Sequence, residues 1–288
     1  MNSSFWSNTI WYILLGISTI IELVLIFLKA KNRKLVLAQY FTISGLTFCF
    51  EMVIYSYFRS YSYLPMLIPQ SPPDDSIAGN LFSQFSVAAT ALLIAVYNLK
   101  YYWFVIFAVV YGVIEELFLK LGIYKHNWYQ TWMTVIGLLL LFWIAKKIHK
   151  EGSRNIKKFW GYLYMFFGLV TLYEHTIVWP QRLIGIRTFS ESILPDKEHS
   201  LVVLDVIHLL LLSTIMMIMY FSNIKWRWKF PVILILYIVF YIAERFHLVI
   251  YKEGWFLFAA SIAIWGMYFC TYILDKLYGL TKQRYSYS

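Results

Sequence analysis

Long apolar stretches separated by short polar connections dominate the chain. A helix needs about 20 mostly apolar residues to cross the ~30 Å hydrocarbon core. Nine stretches qualify: 6–28, 35–58, 81–98, 102–120, 130–146, 159–179, 200–222, 230–250 and 255–275. In lipid every backbone N–H and C=O must be satisfied within the structure, and no stretch shows the two-residue alternation of a barrel strand. The pattern therefore predicts an all-α fold, a polytopic transmembrane helical bundle of about nine spans. Two long connections, 59–80 and 180–199, carry Pro65, Pro69, Pro72, Pro73, Pro180 and Pro195 and are expected to be extended or lid-like.

Composition agrees. Of 288 residues, 60% are hydrophobic, 20% aromatic and 14% charged, where soluble domains run at about 45–50% apolar and about 25% charged. This excludes a soluble globule, a disordered chain and a disulfide scaffold. The two cysteines, Cys49 and Cys270, lie inside apolar runs, away from any CxxC or zinc spacing. Residues 5–28 lack a basic leader and a small-residue cleavage site, so they read as a retained first span.

The net charge of +10 acquires a meaning once it is mapped onto the connections. One set of alternate connections, with the C-terminal tail, holds 17 of the 25 Lys and Arg residues, and the other holds 8. By the positive-inside rule the N-terminus lies outside and the C-terminus in the cytoplasm of a plasma-membrane protein. The partner implied by this charge is the lipid bilayer and not nucleic acid, and the oligomeric state is left open.

The chain also resembles itself. Asn98–Trp103 matches Asn223–Trp228 at an offset of 125, and Ile123–Trp128 matches Ile250–Trp255 at 127. Glu51 pairs with Glu174 at 123 and Glu115 with Glu244 at 129. These matches divide the chain into a leading transmembrane helix with its basic loop (1–34), a first four-span repeat (35–146), and a second four-span repeat with a cytoplasmic tail (147–288). An even number of spans per repeat makes the repeats parallel in the membrane.

The order of these residues is Glu in an early span, Pro-x-Arg after it, Asn at a cytoplasmic turn, Ile-Glu in the next span, then Tyr-x-x-x-Trp-x-x-x-Trp. The residues that carry it are Glu51, Asn98, Ile114, Glu115, Tyr124, Trp128 and Trp132, and in the second half Glu174, Pro180, Arg182, Asn223, Glu244, Tyr251 and Trp255. The pattern resembles an uncharacterised family of short multi-pass membrane proteins of spore-forming Gram-positive bacteria, here in tandem duplicate. The first half departs from it in having no Pro-x-Arg directly after Glu51. The resemblance implies a membrane location and brings no activity with it.

Charged side chains inside spans cost about 2.5–3.5 kcal/mol at mid-bilayer and normally face the bundle interior or a wet cavity. The expected cluster consists of Glu174, His175, Asp205, His208, Glu244, Arg245 and His247, with Glu51, Glu115 and Glu116 as first-half counterparts. The topology places all of these in the outer half of the membrane, and only Glu22 elsewhere. Asp205 and His208, and likewise Glu244 and His247, are three residues apart and would share a helix face. With Glu174 they have the spacing of di-metal carboxylate bundles, so the two acid-x-x-His pairs are metal candidates. A proton-sharing network is the other reading of the same residues, and Arg245 is expected to pair with Glu174 or Asp205. Asn80 and Ser83 stand opposite Asp205 and His208, so the second half is the richer one.

Glu115-Glu116-x-x-x-Lys120 invites comparison with intramembrane proteases that use Glu-Glu-x-x-x-Arg, but no His here has Phe four residues before it or Asn four after. HExxH, GxSxG and P-loop motifs are absent. No cofactor is expected. The leading expectation is non-enzymatic binding or transport of a small solute, ion or proton through an outward-facing polar cluster. A non-catalytic envelope, sporulation-assembly or sensor protein, and an intramembrane lipid-directed enzyme, remain as alternatives.

Overall fold

The computed structural model describes residues 5–152, 156–193, 197–222 and 224–280; Asn223 of the repeated turn and the end of the C-terminal tail lie outside them. The chain is an all-α integral membrane protein. Eight helices are long and apolar enough to span a bilayer. Five belong to the first of two compact units, residues 1–160 and 161–288: α1 (Phe5–Lys29), α2 (Arg33–Tyr57), α3 (Pro72–Val96), α4 (Tyr101–Lys120) and α5 (Thr131–Gly152).

In the second unit, α6 (Lys158–Tyr173) passes through a π-helical turn, Glu174–Val178, into the short α7 (Trp179–Leu183). Helices α8 (Lys197–Phe221), α9 (Trp226–Arg245) and α10 (Phe256–Tyr278) follow. The expected span 159–179 is thus an α–π–α run in which the α-helix alone is 16 residues long.

Each unit carries a small antiparallel ribbon at one end. In the first, β1 (Tyr61–Tyr63) pairs with β2 (Tyr124–His126), Tyr61 facing His126 in register. In the second, β3 (Arg187–Phe189) pairs with β4 (Val249–Tyr251), Arg187 facing Tyr251. The expected span 230–250 is displaced toward the N-terminus: α9 starts at Trp226 and stops at Arg245, and residues 249–251 are β4. The connection 59–80 holds β1 and the opening turns of α3, and the described part of 180–199 holds most of α7, β3 and the start of α8, while Pro195 lies outside the described residues.

Helix α3 begins nine residues earlier than the apolar run because its start is polar but well capped. Pro72 and Pro73 occupy the first helical positions, and Asp74 and Asp75 sit at the positive end of the helix dipole. The Asp75 carboxylate accepts from the amides of Met66, Leu67 and Ile68 at 3.0, 2.6 and 2.7 Å, tying the preceding loop down. Helix α3 is also the centre of the first unit, packing on α1, α2 and α5. Its buried Ala88, Ala89, Ala91 and Ala95 permit the close backbone approach that packing in lipid relies on. Outward faces are apolar, as at Ile20, Val24 and Leu28 of α1 and Val105, Val109 and Val113 of α4. Exposed apolar area of this extent belongs in lipid and not in water.

The turn into each ribbon is a left-handed cap. Gly122 (φ 70°) ends α4, with the Ile123 amide bonded to the Phe118 carbonyl at 3.1 Å. His247 (φ 53°) ends α9, with the Leu248 amide bonded to the Ala243 carbonyl at 2.9 Å. Gly is suited to this geometry, and a non-Gly residue there costs roughly 1–2 kcal/mol.

Candidate functional site

Glu51 is the last α-helical residue of α2 before the π-helical stretch Met52–Tyr57, and Glu174 opens the π-helical stretch after α6. π-turns widen the helix and are frequent where a helix serves a site. In the first unit the widened end of α2 faces β1, α4 and α5 across a cavity of about 260 Å³. Its ribbon-side wall carries Glu51, Glu115, Tyr61, Tyr63, Tyr124 and Tyr129, and the rest is mostly apolar, with Val87, Leu138, Leu141 and Ile144 beside Thr47 and Tyr111.

The tyrosines are placed by the ribbon. Alternate residues of a strand share a face, so Tyr61 and Tyr63 project together, and both are buried. Their ring centroids lie 5.4 and 4.9 Å from that of Tyr124, and Tyr129 is 5.0 Å from Tyr61. Burial foremost, then the nearby carboxyls, holds the Tyr61, Tyr63 and Tyr124 phenols well above their ordinary range. Burial likewise pushes Tyr129 up to about 12. The phenols therefore stay protonated and neutral.

The two carboxyls differ in their partners. Glu115 Oε1 accepts from His126 Nε2 at 2.7 Å. Glu51 Oε2 is buried with no hydrogen-bond partner among the described residues. A second network reaches the cavity wall at Tyr111, where the Thr90 hydroxyl meets both Glu22 carboxylate oxygens and the Tyr111 hydroxyl at 2.8 Å, and Tyr111 meets Ser86 at 2.8 Å. Glu116 points elsewhere: it is exposed on α4 and accepts from the Thr131 hydroxyl at 2.5 Å.

The second unit brings together part of the expected cluster. The carboxyls of Glu174 and Asp205 are neighbours, and Glu174 Oε2 and Asp205 Oδ1 are buried without a hydrogen-bond partner among the described residues. Arg182 and Arg187 face the pair. Arg187 is 2% exposed, with its guanidinium 5.3 Å from the Phe189 ring centroid and beside the Tyr173 and Tyr251 phenols. His208 lies one turn beyond Asp205 on α8, its ring 5.5 Å from that of Phe189 and 5.3 Å from that of Phe240.

The remaining members of the expected cluster do not join. His175 turns back on its own helix, Nδ1 donating to the Thr171 carbonyl at 2.7 Å. Glu244 and His247 do not share a helix face, because the helix ends between them and His247 is exposed on the left-handed cap. Arg245 does not pair with Glu174 or Asp205. It is exposed, and its guanidinium donates to the Tyr241 hydroxyl at 2.7 and 2.9 Å. Among the described residues no three His, Cys, Asp or Glu side chains come close enough to hold a metal ion. The two acid-x-x-His pairs therefore do not form the di-metal arrangement.

Sequence reasoning missed Tyr61, Tyr63, Tyr129, His126 and Arg187. The Tyr-Ser-Tyr alternation at 61–63 was the available signal for the first two. No family model, curated protein or solved structure matches the chain.

Proposed function

We propose that the protein binds a small solute within the membrane, in the cavity of the first unit, as a carrier or receptor rather than an enzyme. One observation carries this reading: a cavity of about 260 Å³ with a buried carboxyl oxygen, Glu51 Oε2, that no described group satisfies. A buried polar atom without a partner costs about 1–3 kcal/mol or more, and persists where something else completes it. The largely preformed, mostly apolar shape with a few convergent polar groups is that of a ligand site. The polar cluster of the second unit also holds partnerless buried atoms, Glu174 Oε2, Asp205 Oδ1 and Arg187 Nη2, but Glu51 is the one that lines the cavity.

The two units read as a tandem duplication, and their element order supports this. Helices α3, α4 and α5 begin 125 residues before α8, α9 and α10, and β2 begins 125 before β4. In this register Gly122 corresponds to His247, and both are left-handed caps. The offsets of 127 and 129 taken from the sequence slip by two to four residues, and Glu115 corresponds to Phe240 rather than Glu244. The N-terminus lies outside and the C-terminus in the cytoplasm, on the distribution of Lys and Arg.

A thermal-shift screen of small solutes on the purified protein tests the site. Binders should exist whose shift disappears in Gly137→Leu, which fills the cavity from a position where an added Cβ meets nothing within 4 Å. Shifts that survive the filled cavity contradict the reading.

A further inference from the structure

The second unit contains a cation where the first contains a space. Tyr61 and Arg187 hold the same place in their ribbons, each the first residue of its strand and each facing the last residue of the partner strand. Arg187 puts a guanidinium among aromatic rings and the two carboxyls Glu174 and Asp205. Tyr61 puts a neutral phenol there. The first unit nevertheless keeps two carboxyls and an aromatic wall around its cavity. His126 answers Glu115, and Glu51 Oε2 is left without a partner.

A positively charged group at Glu51 would set a cation near this carboxyl, as Arg187 sets one near Glu174 and Asp205. A buried carboxylate is tolerated when an opposite charge meets it. Phenol faces and oxygens favour an ammonium or guanidinium group over an anion. The shape supplies the rest of the description. Away from the ribbon tyrosines the cavity is lined mostly by apolar side chains, Val87, Leu138, Leu141 and Ile144 beside Thr47 and Tyr111, which suit an apolar body. Two further lining residues, Phe50 and Leu140, are 55% and 57% exposed, so the cavity opens on the apolar flank of the unit.

We infer that the ligand of this cavity is an organic cation with an apolar body, its ammonium or guanidinium group held at Glu51 among the tyrosines and its apolar part lying toward Leu138 and Ile144. The inference rests on the cavity being the binding site and adds the chemical class of the ligand. The cationic group belongs either to a lipid headgroup or to a free amphiphilic amine.

The test uses the full-length protein in phosphatidylglycerol nanodiscs, a lipid without nitrogen, with octylammonium, octanol and octanoate as probes. Binding is measured over the background of Gly137→Leu. Octylammonium should bind about ten-fold more tightly than either other probe. Glu51→Gln should lose that preference and Glu51→Asp should keep it, with thermal melts like the wild type's showing that both variants fold. Equal binding of the three probes, or a preference that survives Glu51→Gln, overturns the cation assignment and leaves the cavity standing. Binding of every probe equally by wild type and Gly137→Leu overturns the cavity itself. Replacing half the lipid with phosphatidylethanolamine separates the sources. Displacement of octylammonium supports a headgroup cation, and unchanged affinity supports a free amine.

Discussion

Glu115 Oε1 lies 2.7 Å from His126 Nε2, so the last turns of α4 are tied to the end of the ribbon that follows it. Both side chains are largely buried, at 10% and 16% exposed. His126→Ala removes one of the two side-chain partners of Glu115, leaving Thr134, and should destabilise the protein by about 1 kcal/mol. His126→Gln keeps a donor and should cost less. Equilibrium unfolding in mixed micelles reads both, and equal losses would show that the hydrogen bond is not what matters.

Two glycines should respond in opposite directions to the same change. A Cβ on Gly79 of α3 would stand 2.6 Å from Tyr63 Cβ, so Gly79→Ala must push β1 and its tyrosines away. A loss of about 1–3 kcal/mol is expected, together with weaker ligand binding. A Cβ on Gly137 meets nothing within 4 Å. Gly137→Ala should therefore gain up to about 1 kcal/mol from helix propensity alone. Thermal melts of the two variants side by side check this. Similar shifts would contradict the packing of β1 on α3.

Arg187→Ala removes the guanidinium that faces Glu174 and Asp205 in the second unit. Losing its contacts to the Tyr173 and Tyr251 phenols leaves two buried hydroxyls short of a donor and should cost about 1–3 kcal/mol. A fall in melting temperature is expected, smaller for Arg187→Lys. An unchanged melt would mean that the carboxyl pair needs no cation, and the comparison between the two units would lose its force.

Orientation has a direct readout. Lys31 and Lys125 are exposed and lie in connections assigned to opposite sides. With Cys49 and Cys270 replaced by Ser, a membrane-impermeant maleimide should label Lys125→Cys in intact cells and Lys31→Cys only after lysis. The reverse pattern would contradict the placement of the N-terminus outside.

The spans were legible because lipid imposes a length and an apolar content on any helix that crosses it. What composition does not carry is where a helix ends when its polar end is capped, as at Pro72 and Asp75, or when a left-handed residue stops it. The second case misled the reading of the site. Glu244 and His247 have helical spacing, but His247 adopts φ 53° and leaves the helix. Arg187 looked like loop charge because the apolar run had ended; only the pairing of β3 with β4 brings it inside. Glu51 and Glu115 were named as counterparts of a richer second half. Their importance depends on the space between them, and a volume has no sequence signature. Tyr61 and Tyr63 sat in a proline-rich connection read as extended, and strand pairing turns their alternation into one wall of the cavity.

The most direct measurement is an experimental density map of the wild-type protein in phosphatidylglycerol nanodiscs saturated with octylammonium. The account expects elongated density in the first unit's cavity, with its nitrogen about 2.7–2.9 Å from Glu51 Oε2 and its chain along Leu138 and Ile144. A cavity that stays empty at saturation, or is closed by its own side chains with Glu51 bonded to a protein donor, would contradict it.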